Sequence, residues 1–125
     1  MTAQGAHRDL SALETAAALR SGDLDAIEHT EGALSAARGP GARVGAFAHL
    51  LEDLSLRQAE TAARELEQAR RTGALDQLAA ERPLLGVPLP IKDLTQIAGE
   101  PFEAGSAAMR GNIAGVTDGD RKSVV

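Results

Sequence analysis

The residue best suited to chemistry in this chain is Lys92. It stands within the most apolar stretch, Gly86-Val87-Pro88-Leu89-Pro90-Ile91-Lys92-Asp93-Leu94. The chain holds 11 Arg and only two Lys, so a generic cation here is nearly always Arg. Arg keeps its proton in proteins, whereas a Lys withdrawn from water falls from about 10.4 towards neutrality and becomes a base. Asp93 follows directly, but successive side chains on an extended chain face opposite sides, so adjacency alone does not pair the two. The competing reading is a charged guard on an exposed strand edge, which discourages aggregation. Both readings stand at the level of the residues.

Other constellations fail on inspection. Gly115-Val116-Thr117-Asp118-Gly119-Asp120-Arg121-Lys122-Ser123 ends in Lys-Ser, but Arg121 sits where a phosphate-binding loop needs Gly. Asp118-Gly119-Asp120 offers too few oxygen ligands for calcium and reads as a turn and helix cap. His7, His29 and His49 share no metal spacing. Ser106 lies among small residues, where Ser serves as a cap or turn, and no Ser-His-Asp arrangement emerges. With no Cys there is no disulfide, thiolate nucleophile or Cys-ligated metal. No metal or cofactor is expected.

The elements that must position Lys92 come from 125 residues with a net charge of −5. That length suits one domain or a piece of a larger one. Leu, Ile, Val and Phe number 16, 4, 5 and 2, against 25 Ala, so the chain alone builds a thin core. Mild acidity argues against nucleic acid or an anionic membrane as the main partner. The N-terminus lacks the apolar run of a leader, and no stretch has the length of a membrane span. The composition is that of a soluble, cytoplasmic chain.

Three helices are expected before Gly73. Ser11 and Glu14 form a capping box, and the helix they open ends at Ser21-Gly22. Asp25 and Glu28 repeat the spacing. Leu24, Ile27, Leu34 and Ala37 then mark an apolar side, until Gly39-Pro40-Gly41 stops it. Residues 44–49 are short and apolar, so the period allows a strand or a helix. The longest helix runs over 53–72 with Leu56, Ala59, Ala63 and Leu66 on one face. Pro88 and Pro90 make the following stretch an edge strand, or delay pairing until about Leu89. Residues 95–119 read as a long loop with one short helical turn. Asp118 or Asp120 then caps a helix that has barely begun at Val125, the pattern of a truncated chain.

These residues together resemble the N-terminal part of the amidase signature family. The core is Gly86-Val87-Pro88-Leu89-Pro90-Ile91-Lys92-Asp93-Leu94. Ile97-Ala98-Gly99-Glu100-Pro101 and Ala104-Gly105-Ser106-Ala107-Ala108 continue it. Upstream, Leu10-Ser11-Ala12-Leu13-Glu14, Leu19-Arg20-Ser21-Gly22-Asp23-Leu24 and Gly45-Ala46-Phe47 resemble the family's opening helices and first strand. The likeness covers residues 9–125. Pro90 departs from the small or aliphatic residue many members carry there.

The resemblance implies an α/β fold with helices flanking a mixed β-sheet, here incomplete. Residues 1–9 would be a disordered N-terminus, and residues 10–125 the start of an amidase domain cut before its Ser/Gly-rich signature. It also implies hydrolysis of a carboxamide C–N bond by a Ser–cis-Ser–Lys triad, with Lys92 as the triad lysine. Lys92 as neutral amine would take a proton from the cis-Ser, which activates the nucleophilic Ser to form an acyl-enzyme. No serine of this chain matches either partner, so the stretch alone is expected to be inactive. The substrate would be a small amide, and the full-length protein has room to act as a homodimer. Thr95-Gln96-Ile97-Ala98-Gly99-Glu100-Pro101 is closer to the general amidases than to the glutamine-hydrolysing component of a tRNA-dependent amidotransferase. A different class of reading is a non-enzymatic helical interaction module, in which Lys92 is dispensable.

Overall fold

A computed structural model describes residues 10–118. Four α-helices make up its first part: α1 (Ala12–Ser21), α2 (Ala26–Ala36), α3 (Glu52–Thr72) and α4 (Leu75–Glu81). The caps are those the sequence spells. Ser11 Oγ accepts the Glu14 amide at 3.3 Å, and the Glu14 carboxylate accepts the Ser11 amide at 2.7 Å. Gly22 closes α1 in the left-handed region at φ 88°. Asp25 Oδ1 accepts the amides of Ile27 and Glu28 at 2.8 and 2.9 Å. Gly73 stops α3 at φ 72°, again left-handed.

Helix α2 does not stop sharply at Gly39. It widens into a π-helical turn, Ala37–Gly41, with Pro40 inside. Proline offers no amide to a helical ladder, and the wider turn removes the clash its ring would make in an α-helix. Helix α4 lies outside the three expected helices. Its cap residue, Ala74, makes no side-chain cap bond, so the usual start signal is missing.

Helix α2 packs along α3, which also touches α1 and α4. The core gathers Leu19, Leu24, Ala26, Ala62, Leu66 and Leu85, with Leu10, Leu78 and Val87 packed against it. Leu19 and Leu66 are its largest fully buried side chains. Alanine supplies much of the remainder, which lets the helices approach closely. On α3 the buried residues are Ala59, Ala62, Leu66 and Ala69; Leu56 and Ala63 flank them, half-buried.

The expected α/β architecture with a mixed β-sheet is not what forms. Among the described residues there is no sheet, and pairing is limited to one isolated antiparallel bridge, Pro101–Ile113. Residues 44–49, the family-like first strand, are turn and coil, and Val44 is 79% exposed. The proline-marked segment makes no strand either, for a reason its amides give. Val87 N–H closes a turn on Leu84 O at 3.0 Å, and those of Leu94 and Thr95 both bond Lys92 O. Pro88 and Pro90 have no N–H to contribute, so too few donors remain for a ladder. Residues 1–9 and the helix expected beyond Asp118 lie outside the described residues.

Residues 95–118 form the expected long loop, with one 3₁₀ turn at Ala107–Met109. It is tied at its base by a reciprocal pair. The Gln96 amide donates to the Asp118 carboxylate at 2.9 Å, and the Asp118 amide donates to Gln96 O at 3.1 Å.

Candidate functional site

The Lys92 segment leaves the helical core through Gly86. That residue lies at φ 83°, where only glycine is unstrained, and a Cβ there would meet Leu19 Cδ1 at 3.2 Å and the Cβ atoms of Ala26 and Ala62 at 3.6 Å. Glycine therefore serves twice, by its dihedral and by its lack of bulk. Leu85 and Val87 on either side pack into the same core. Two further ties hold the turn: Arg82 Nη1 to Glu65 Oε2 of α3 at 2.5 Å, and Arg20 Nη1 to Pro83 O at 3.2 Å.

Beyond that anchor the chain moves outward. Val87, Pro88 and Leu89 are half-buried, whereas Pro90, Ile91 and Lys92 are exposed. Lys92 O accepts the amides of Leu94 and Thr95 at 2.8 and 3.0 Å, which fixes the backbone of the turn. Asp93 turns to different work. Its Oδ1 accepts the Glu103 amide at 3.1 Å, so it serves the loop rather than Lys92, and no ion pair involving Lys92 forms among the described residues.

The loop has its own polar frame. Phe102 N–H donates to Asn112 O at 3.0 Å, and Asn112 Nδ2 returns a bond to Phe102 O at 2.9 Å. The Glu103 carboxylate accepts the Gly111 amide at 2.7 Å through Oε1 and lies 3.2 Å from His49 Nε2 through Oε2. These contacts hold the Glu103 carboxyl below the usual range, the Gly111 amide contributing most and His49 next. Sequence patterning marks neither His49 nor Glu103 as a partner of the other. They stand 54 residues apart, with no local pattern to join them.

The remaining candidates are quickly placed. Ser106 is exposed and precedes the 3₁₀ turn without a side-chain cap bond. His29 is half-buried on α2. The described residues contain no cluster of three or more His, Cys, Asp or Glu placed to hold a metal. Two open grooves run along α3, one past Ile27, Glu60 and Arg71 and the other past Glu65 and Leu78, both well away from Lys92.

Sequence comparison adds the family. The chain is 36% identical over 95 residues to the A subunit of glutamyl-tRNA(Gln) amidotransferase from Chloroflexus aurantiacus, covering 76% of this chain and 18% of that protein. It is 33% identical over 102 residues to the protein of the same name from Streptomyces coelicolor, covering 82% and 19%. The Dinoroseobacter shibae counterpart is 39% identical over 107 residues, with 82% and 19% covered. The resemblance to the amidase signature family is borne out. These amidase-signature relatives are far longer, and the chain spans about a fifth of their length. No family model matches the chain, and no solved structure matches it. In amidase-signature terms, the likeness is to a segment, and Lys92 is the residue in it that the family's chemistry needs.

Proposed function

We propose that this chain is the lysine-bearing segment of an amidase-signature enzyme that hydrolyses a carboxamide C–N bond. Lys92 is its general base. The single observation behind this reading is the run from Gly86 to Asp93, in a chain similar to amidase-signature proteins over about four fifths of its length. The core anchor at Gly86 supports it, because the segment leaves a fixed point with Lys92 six residues on.

In this reading Lys92, as the free amine, takes the proton of a cis-Ser. The cis-Ser in turn takes the proton of the nucleophilic Ser as that oxygen attacks the amide carbon. The C–N bond breaks with return of a proton to the leaving nitrogen, and water later releases the acyl group. Both serines would lie outside these 125 residues, so the stretch by itself is inactive. Lys92 is exposed among the described residues, and the reading requires other parts of the enzyme to enclose it.

Two substrate classes follow. The segment Thr95-Gln96-Ile97-Ala98-Gly99-Glu100-Pro101 resembles general amidases and favours a simple carboxamide. The names of the relatives favour glutamine as ammonia donor to an acylated tRNA. Replacing the matching segment of the Streptomyces coelicolor relative with this chain tests the role and separates the classes. An active chimera that loses turnover on Lys92→Arg supports the base. One that keeps full turnover refutes it. Glutamine against simple amides as substrate then decides the class.

A further inference from the structure

Three side chains from distant parts of the chain meet at the loop beside Lys92. His49 comes from the segment before α3, Asp93 from the Lys92 turn, and Glu103 from the loop itself. They act in series. His49 Nε2 lies 3.2 Å from Glu103 Oε2, and Glu103 Oε1 accepts the Gly111 amide at 2.7 Å. The Glu103 amide donates to Asp93 Oδ1 at 3.1 Å. Asp93 is bonded in sequence to Lys92, whose carbonyl is closed over by the amides of Leu94 and Thr95. A carboxylate accepting from a backbone amide on one side and facing an imidazole on the other is a strong tether when ionised and a weak one when protonated.

We propose that Glu103 is a positioning residue for the Lys92 turn, clasping it to the helical body through Asp93 on one side and His49 on the other. This deepens the amidase reading only in naming what holds its lysine; the clasp itself does not depend on Lys92 being a base. Lys92 is the adjoining residue whose backbone the clasp steadies. The groups acting on the Glu103 charge are His49, which favours it, and Asp93, which opposes it. With its carboxyl held below the ordinary range, the clasp is closed at neutral pH and opens as pH falls through that lowered value.

The test is an acid titration of the 125-residue chain by amide NMR, carried out in an Asp93→Asn background. That variant keeps an oxygen for the Glu103 amide but removes the titration of the nearest neighbour. The expected result is one shared acid step at the Gly111, Leu94 and Thr95 amides, lying below the range of a free glutamate. Adding Glu103→Gln is expected to abolish that step at all three while helical circular dichroism stays unchanged. A step confined to Gly111, with Leu94 and Thr95 unmoved, overturns the proposal. So does a step at Leu94 and Thr95 that survives Glu103→Gln. Neither outcome touches the role of Lys92 as base, which the chimera decides separately.

Discussion

Gly86 and Leu19 are in contact across the core: a methyl group placed on Gly86 would stand 3.2 Å from Leu19 Cδ1. Leu19 is fully buried at the last turn of α1, and Gly86 begins the segment that carries Lys92. The first helix and the candidate base are thereby joined through one tight contact. Gly86→Ala combines left-handed backbone strain with crowding, and is expected to cost about 1–3 kcal/mol of stability. Urea denaturation measures it, and an unchanged midpoint would show that the contact is slack.

Leu66 of α3 sits at the centre of the same cluster and is 2% exposed. Leu66→Ala leaves a void among small alanine neighbours that cannot expand to fill it. The expected loss is about 2–5 kcal/mol, large for so thin a core. Leu13, which is 68% exposed, provides the control: Leu13→Ala should change the denaturation midpoint little.

The capping box of α1 predicts an acid-side dependence. The Ser11 contacts hold the Glu14 carboxyl below its ordinary value of 4.5. A lowered native value means that the ionised form contributes stability above the ordinary carboxylate range. That contribution disappears as pH falls through the lowered value. Glu14→Gln should flatten this part of the stability–pH curve, while Ser11→Ala should cost about 1 kcal/mol at neutral pH. Thermal melts between neutral and acid pH check both.

Local chemistry makes much of the helical part legible. Ser11-x-x-Glu14, Asp25, Gly22 and Gly73 each act within a few residues, and each stands where its spacing puts it. Helix α4 escapes because Ala74 gives no cap signal. The sheet is a different kind of error. It comes from a likeness to longer proteins, whereas strand formation requires partner edges and free amides. Residues 44–49 and 87–92 find neither among the described residues. At the site, Lys92 stands out by residue type and surroundings. Its neighbours do not, because the His49–Glu103 contact joins residues 54 positions apart. Such pairing is set by how the loop folds back, and nothing periodic announces it.

The central claim is that Lys92 works as a base and not as a surface charge, and one substitution separates the two. In an active chimera carrying this chain within the Streptomyces coelicolor relative, Lys92→Arg keeps the charge but cannot give up its proton. Turnover should fall by roughly a thousandfold or more, nearly as far as with Lys92→Ala. An Arg variant with turnover close to that of the unsubstituted chimera would contradict the account.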